Sequence, residues 1–524
     1  MFIIKKLILL SPLLLFLQCR KTTTANWDVD MVFPVVNSQL NIKNFLGDSI
    51  FKADNTGLLN LSLTRIITAI KLDSLIKLPD TTIINYFISP FPVTLLPGQS
   101  LLNFPPAELK FNIGDGVALK TVDIKKGTLK VKFSNTVAQP LDLIYVINSA
   151  TKNGLPFTVS ETVPPGTNSL IKSYSLDGYN LNMRGLSGNV YNTIVQTYTV
   201  LLNANSPSIT TNFGQGANIE LAYSNIIPQY AEGYFGQQTI AIPLDTVIFD
   251  IVKNFDAKNF MLNSATFNFN ILNQFGAEFT GTLFNIKAIN GSSVVPLTTS
   301  QLSNININRA SKVGTTIFQS VKSVSLNSTN SNIAPFLSVL PNKLIYQGSV
   351  ALNPLGNLSG FNDFAFYNTG LNVTADVNIP LRFSADYFKL TSITAVDFTN
   401  IKQLDRVNSG DFMLSASNGY PFNAKLQAYM LDVNQVVIDS LFIPTANTFY
   451  KGVTDAQNIV TFPTRTKVVA PFDKNKIENL KKTKSLKIIT YFIMPPSPPD
   501  IKLFESYSFD VNIIAELNYN VKAG

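Results

Sequence analysis

The sequence contains no histidine and only one cysteine among its 524 residues. Histidine is the usual general base near neutral pH and a common zinc ligand. Its absence excludes Ser-His-Asp and Cys-His catalytic sites and histidine-based zinc sites. A single cysteine excludes an internal disulfide. The sequence also has no glycine-rich phosphate loop and no nucleophile elbow, so carboxylates are the catalytic groups that remain.

Charged residues are scarce as well, at 14% of the chain, against about 25% in an average soluble protein. Asn, Ser and Thr take their place, and these side chains favour solvated strands and turns because they compete with helical backbone hydrogen bonds. The 38 Phe and 18 Tyr residues add strand propensity. The composition therefore predicts an all-β protein with few short helices and several domains.

The net charge is +8, but most of the positive charge is scattered, and we expect no nucleic-acid partner. One region is dense in lysine: Lys474, Lys476, Lys481, Lys482, Lys484 and Lys487. We interpret it as the solvated face of a short helix, with contact to anionic lipid headgroups or an acidic partner as the alternative. Asp473 is expected to cap this helix, which would run to about Thr483 with Ile477 and Leu480 on one face.

Residues 1–18 have the pattern of a signal peptide. Lys5 and Lys6 give a positive start, and an apolar run from Leu7 to Leu17 follows. That run is too short to span a bilayer, which takes about 20 residues. The only cysteine, Cys19, comes directly after it.

The segment Leu15-Phe16-Leu17-Gln18-Cys19 resembles the lipobox of bacterial lipoproteins. Gln18 departs from the usual Gly, Ala or Ser, although Bacteroidota lipoboxes are looser. The resemblance implies that Cys19 carries acyl chains, each buried methylene contributing about 0.8 kcal/mol to membrane binding. Residues 19–26 would be a tether, and the absence of an aspartate after Cys19 favours an outer-membrane address on either leaflet. The alternative is a secreted protein with an unmodified cysteine.

A short pattern, Asp followed by Ser or Thr and then an apolar residue or Thr, resembles the O-glycosylation signal of exported Bacteroidota proteins. The hydroxyl residues that it marks as possible glycosylation sites are Ser49, Ser74, Thr81, Thr246 and Ser440.

Alternating apolar residues predict strands throughout, most clearly from Phe509 to Val521. A strand that ends in asparagine recurs three times, at Leu129–Asn135, Phe267–Asn273 and Phe412–Asn418. Asparagine suits a corner because its side chain bonds to its own backbone. An Ile-Pro-Leu triplet at Ile242 and again at Ile379 is a second candidate repeat element.

These repeats predict tandem β-sandwich modules at 101–239, 240–370 and 371–524, after an N-terminal β segment at 27–100. The strand–Asn–turn–strand pattern resembles immunoglobulin-like modules and the late-embryogenesis-abundant type 2 fold. The resemblance covers some twenty residues of each copy.

Two carboxylate pairs are candidates for chemistry. Asp28 with Asp30, and Asp245 with Asp250, are candidate glycosidase pairs. Asp28 and Asp30 alternate on one strand and could instead share a calcium ion, but the favoured interpretation is a solvated N-terminal strand just past the tether. The only tryptophan, Trp27, is interpreted as filling the first domain or resting near lipid headgroups. The alternative for Trp27 is an aromatic that stacks on a sugar.

The leading hypothesis is a non-enzymatic, lipid-anchored envelope protein without cofactor or metal, which binds or braces an outer-membrane protein such as a β-barrel transporter or assembly machine. The alternatives are a surface protein that binds glycans or host molecules and, less favoured, a carboxylate-based glycan hydrolase.

Overall fold

A computed structural model of the chain describes residues 25–41, 51–248, 255–396, 398, 406–442, 447–494 and 500–523. Cys19, Ser49 and Asp250 lie outside these residues. The described chain consists mostly of antiparallel strands with three short helices, which confirms the all-β sandwich fold with few helices. None of the helices described is long and apolar enough to cross a membrane.

The helices are α1 (Leu72–Leu75), α2 (Ile333–Ser338) and α3 (Lys474–Lys482). The first twenty strands are β1 (Ala25–Leu40), β2 (Phe51–Ala53), β3 (Leu59–Lys71), β4 (Thr81–Ile88), β5 (Val93–Leu95), β6 (Ser100–Asn103), β7 (Ala107–Lys110), β8 (Ala118–Asn135), β9 (Leu141–Lys152), β10 (Leu155–Val163), β11 (Thr167–Ser175), β12 (Asn180–Asn182), β13 (Thr193–Leu202), β14 (Ile209–Thr211), β15 (Gly216–Tyr234), β16 (Gln238–Ile248), β17 (Phe255–Lys258), β18 (Met261–Leu262), β19 (Thr266–Asn273) and β20 (Phe279–Asn290).

The remaining strands are β21 (Ser293–Pro296), β22 (Ile305–Ile307), β23 (Ser311–Val313), β24 (Thr316–Phe318), β25 (Ser320–Leu326), β26 (Lys343–Leu352), β27 (Asp363–Phe366), β28 (Gly370–Pro380), β29 (Arg382–Ser384), β30 (Tyr387–Ala395), β31 (Val407–Asn418), β32 (Asn423–Leu431), β33 (Val437–Ser440), β34 (Thr448–Phe449), β35 (Val453–Thr454), β36 (Val460–Phe462), β37 (Thr464–Phe472), β38 (Ser485–Ile493), β39 (Ile501–Lys502) and β40 (Phe509–Ala523).

Helix α3 has the cap and the face that the sequence predicts. The Asp473 side chain accepts hydrogen bonds from the backbone N–H groups of Asn475 and Lys476, and Ile477 and Leu480 are buried. Lys476 reaches back to the backbone carbonyl oxygen of Ser440 at 2.7 Å.

The chain divides into two compact units. The first comprises residues up to Leu61 together with Asp250–Ser264 and Pro380–Gly524, and the second comprises Ser62–Phe249 and Ala265–Ile379. The second unit contains two β-sandwich modules and the first unit contains a third. We number the modules in the order in which the asparagine-ended strands β8, β19 and β31 follow one another.

The three modules share one topology of seven principal strands, which we label a to g. One sheet has the order a-g-c-e, and the other has the order b-f-d. Strands a to g are β4, β6 with β7, β8, β9, β11, β13 and β15 in the first module, β3, β16, β19, β20, β25, β26 and β28 in the second, and β1, β30, β31, β32, β37, β38 and β40 in the third.

The modules are nested in the chain. Strands b to g follow in order along residues 100–234, 238–380 and 387–523, but strand a of every module comes from the segment that the sequence set apart at 27–100. The order of these first strands is reversed, so that β1 belongs to the third module and β4 to the first. Hydrogen bonds between the segment that supplies strand a and strand g therefore span 145, 312 and 492 residues in the first, second and third modules.

A buried asparagine closes strand c in each module with the same set of hydrogen bonds. Its Oδ1 accepts the N–H two residues on, at 2.8–2.9 Å, and its Nδ2 donates to the carbonyl four residues on, at 2.9–3.0 Å. Nδ2 also donates to a carbonyl of a third segment, which joins three pieces of chain. The asparagines and these third carbonyls are Asn135 with Val163, Asn273 with Asn308, and Asn418 with Phe449.

The residue after each asparagine completes the corner. Its backbone N–H donates to the carbonyl of the residue that begins or precedes strand g, from Thr136 to Gly216, from Gln274 to Gly370 and from Gly419 to Ser508. At Gly216 and Gly370 a Cβ would lie 1.9 and 2.6 Å from a backbone oxygen of strand a, so only glycine fits there. The strand that ends in asparagine, which recurs three times in the sequence, therefore forms the same corner in all three modules.

The core of the first module contains a buried tyrosine cluster. The Tyr145 hydroxyl donates to Oε1 of Gln196 at 2.8 Å and lies 2.6 Å from the Tyr223 hydroxyl. The Tyr198 ring stacks on Tyr145 with centroids 5.1 Å apart. Burial raises the pKa of the Tyr145 and Tyr223 hydroxyls above the usual range.

Candidate binding surface

Among the strands that the structure describes, β1 lies at the edge of the third module and pairs with β40, in the order β1-β40-β31-β37. The pairing runs from Ala25 opposite Ala523 to Leu40 opposite Phe509, with an irregularity between Pro34 and Val36. Proline has no N–H for a ladder, and a bulge bends the strand. The regular edge therefore ends at about Phe33.

The first half of β1 carries an exposed apolar row. Trp27, Val29 and Met31 alternate along the strand and so lie on one side of it. Their side chains are 48%, 40% and 43% exposed. Farther along the strand Val36 and Leu40 are buried, so only the start of β1 is free of the core. The proposal that Trp27 fills the first domain is wrong, because half of its surface is in solvent.

The other side of β1 carries Asp28 and Asp30, and each bonds across to strand β40. Asn520 donates to Oδ1 of Asp28 and Asn518 to Oδ1 of Asp30, both at 3.0 Å. Such cross-strand side-chain pairs stabilise antiparallel neighbours. In the part of the chain that the structure describes, no group of three or more His, Cys, Asp or Glu side chains could hold a metal ion.

Asp245 lies on β16 in the second module and has structural partners. Its Oδ2 accepts the Tyr346 hydroxyl at 2.9 Å, and its Oδ1 accepts the Thr246 N–H at 2.7 Å. Burial, together with this carboxylate, raises the pKa of Tyr346 to about 12. Asp250 lies outside the described residues, so the pairing of Asp245 with Asp250 stays a prediction.

The four described glycosylation candidates differ in accessibility. Ser74 on α1 and Thr246 on β16 are exposed, whereas Thr81 and Ser440 are half-buried. The Thr81 hydroxyl already donates to the Pro79 carbonyl at 3.1 Å.

If a transferase acts on the folded chain, it needs the hydroxyl in solvent. We therefore expect higher sugar occupancy at Ser74 and Thr246 than at Thr81 and Ser440. Glycopeptide mass spectrometry of protein from its native host measures this, with Ser74→Ala and Thr246→Ala as controls that should remove the corresponding masses. Occupancy concentrated at Ser440 or Thr81 would contradict the expectation.

No family model matches the chain, and no curated protein matches it either. Among solved structures, it is similar to a protein of Parabacteroides distasonis described as secreted, with a TM-score of 0.28, 9% identity and coverage of 95% of this chain and 100% of that one. A structure of infectious bursal disease virus strain Gx has a TM-score of 0.14, 9% identity and coverage of 92% and 86%. Such low scores define neither the fold nor the function of this chain.

The exposed row on β1 could have been found in the sequence. Trp27, Val29 and Met31 alternate with Asp28 and Asp30, which is the pattern of a strand with one apolar side. The strand that pairs with β1, which is β40, lies at the opposite end of the chain. No local signal in the sequence indicates this pairing.

Proposed function

We propose that the protein is a lipid-anchored, non-enzymatic component of the cell envelope that binds an outer-membrane protein through the β1 edge. The observation that carries this proposal is the row Trp27, Val29 and Met31, which is apolar and exposed at a sheet edge. Exposed apolar rows of this kind mark interaction sites in soluble domains. The anchor is Cys19, on the lipobox-like segment that precedes it.

Chain length keeps this edge close to the membrane. Trp27 is eight positions beyond Cys19, and an extended chain spans at most about 3.5 Å per residue, so Trp27 stays within about 28 Å of an acylated Cys19. A partner embedded in the same membrane is within reach of the edge, whereas a partner free in solution gains nothing from the anchor.

The occupant favoured by the geometry is an extended segment of a protein rather than the bilayer itself. A sheet edge presents backbone N–H and C=O groups, and hydrocarbon offers these groups no hydrogen-bond partners. A polypeptide strand satisfies them and places alternate side chains against the apolar row, as in strand addition to a sheet edge. The regular part of β1, from Asn26 to Phe33, is about 24 Å long, which is within the usual range of strand lengths.

The test compares two edges of one sheet. Met31→Asp places a charge in the apolar row of β1, and Val469→Asp places one on β37, at the opposite edge, where Val469 is 50% exposed. Each tagged full chain is extracted from native membranes in gentle detergent, and the co-purifying proteins are quantified by mass spectrometry. We expect Met31→Asp to reduce the partner about tenfold or more, and Val469→Asp to leave it unchanged.

The anchor is tested separately by metabolic labelling with an alkyne fatty acid. The label should appear on the wild-type chain and be absent from Cys19→Ser, which should also move to the soluble fraction. Equal partner recovery from Met31→Asp and wild type would refute the role of β1. An unlabelled wild-type chain would refute the anchor whatever the pull-down shows.

A further inference from the structure

The asparagine corner of the second module opens into a polar cleft of about 260 Å³. It lies where strand a ends, strand c turns and strand g begins. Its lining is polar, apart from one aromatic ring: Lys71, Asp73, Gln274, Tyr367, Asn368, Thr369, Gly370 and Asn372. All these residues belong to the second unit.

The internal repeat shows what is special about this corner. In the first module Thr136 fills the equivalent place, and its hydroxyl oxygen accepts the Gly216 N–H at 2.8 Å and donates to the Gly216 carbonyl at 3.1 Å. In the second module the longer Gln274 accepts the Gly370 N–H through Oε1 at 3.2 Å. Its remaining polar group, the Nε2 amide, is therefore what Gln274 offers to the cleft.

An aromatic wall is fixed beside these amides. Tyr367 lies in the turn between β27 and β28, and its backbone N–H donates to the Gln229 carbonyl at 2.8 Å. The Lys125 ammonium lies 3.1 Å from the centroid of the Tyr367 ring. This cation–π contact holds the ring in place, so the wall is formed before any ligand arrives.

We propose that this cleft binds a neutral sugar ring. The lining offers amide donors and acceptors from Gln274, Asn368 and Asn372, and each Asn can donate and accept at once, which suits neighbouring hydroxyls of a sugar. Lys71 and Asp73 carry opposite charges, and the ammonium of Lys125 is engaged by the Tyr367 ring, so we expect the lining to favour a neutral ligand over a phosphate or carboxylate. A few directed polar groups beside an aromatic wall are the usual composition of a small-molecule site.

The volume sets the size of the ligand. The cleft volume of about 260 Å³ is slightly below the roughly 300–1,000 Å³ of sites for drug-sized molecules. That is room for one pyranose ring, and the open mouth lets a longer glycan continue into solvent. The inference is independent of the lipid anchor and of β1, which belong to the other unit.

The experiment uses the purified full chain and a panel of glucose, galactose, mannose, fucose and N-acetylglucosamine, screened by saturation-transfer NMR and then titrated. We expect at least one of these sugars to bind in the millimolar range. Asn368→Ala with Asn372→Ala should weaken its binding about tenfold, because two hydrogen bonds are lost. Asn268→Ala, on the solvent-facing side of β19 in the same module, should leave binding unchanged.

Three outcomes would overturn the proposal. The first is that none of the five sugars binds. The second is that binding is the same in the Asn368→Ala, Asn372→Ala double variant and in wild type. The third is that glucuronate or inorganic phosphate binds more tightly than every neutral sugar, since the cleft would then select charge. A circular dichroism melt of each variant shows whether a loss of binding comes from unfolding.

Discussion

Replacing Asn273 by alanine is expected to lower the free energy of unfolding of the second unit by about 3–5 kcal/mol. The Asn273 side chain is fully buried. It donates to the Ala277 and Asn308 carbonyls at 2.9 and 2.8 Å and accepts the Phe275 N–H at 2.9 Å. Alanine leaves all three backbone groups without that partner, and each unsatisfied buried group costs about 1–3 kcal/mol. Urea unfolding followed by circular dichroism measures the loss.

The matched control lies on the same strand. Asn268 is on β19 with its side chain on the opposite side from the core, half-buried between strand neighbours. Asn268→Ala should change the free energy of unfolding by about 0.5 kcal/mol or less, as surface substitutions do. If Asn268→Ala and Asn273→Ala lower the free energy of unfolding equally, the hydrogen bonds of the corner do not add to stability.

The variant Asn273→Asp keeps the volume of the side chain and changes only its hydrogen bonding. The aspartate keeps the acceptor for Phe275 but turns an oxygen toward two carbonyls, so its carboxyl should have a raised pKa in the folded protein. A raised folded-state pKa contributes stability that is present below the unfolded value of about 3.9 and is lost as pH rises. The Asp variant should therefore be more stable in acid than at neutral pH, relative to Asn273→Ala.

The free energy of unfolding is expected to fall steeply above pH 10 because of the tyrosine cluster of the first module. Burial raises the pKa of Tyr145 and Tyr223 above the ordinary value of 10.0. The folded protein therefore keeps both protons where the unfolded chain releases them. Their stabilising contribution is complete below pH 10 and is lost as pH rises toward the folded-state values, by about 1.4 kcal/mol per pH unit for each tyrosine.

Phenolate absorbance followed during alkaline unfolding measures this directly. The signal of the buried tyrosines should appear together with the loss of circular dichroism rather than before it. Tyr145→Phe should reduce the slope by about 1.4 kcal/mol per pH unit, whereas Tyr86→Phe, at an exposed position on β4, should leave it unchanged. Phenolate formation by Tyr145 and Tyr223 in the folded state near pH 10 would contradict the prediction.

The sequence predicts the strands and the three asparagine corners because both depend on local order. An asparagine that bonds two and four residues ahead must stand at a fixed place beside its own turn, so Asn135, Asn273 and Asn418 are recognisable without a structure. The Ile-Pro-Leu triplets have no such constraint, and that second repeat was wrong. Ile242 lies inside β16, which is strand b, whereas Ile379 lies at the end of β28, which is strand g.

Strand partners and the cleft could not be predicted in the same way. Alternation fixes which side of a strand faces the core, but every strand with one buried side shows it, so β1 gives no indication that it pairs with β40. The cleft combines residues near 71, 274 and 370 that no motif connects. Only the shared topology of the modules shows that these three segments meet at one corner.

Because the first strands are nested, the protein has a fixed order in which its parts can be completed during synthesis. A ribosome adds about 5–20 residues per second, and Asp28 bonds to a residue 492 positions later. Synthesis of β40 therefore follows that of β1 by about 25–100 s, whereas β15 follows β4 after less than a third of that chain length. The first module closes first and the third last. A chain interrupted near its C-terminus would keep two finished modules and display an unpaired β1, whose free backbone groups can pair with another chain.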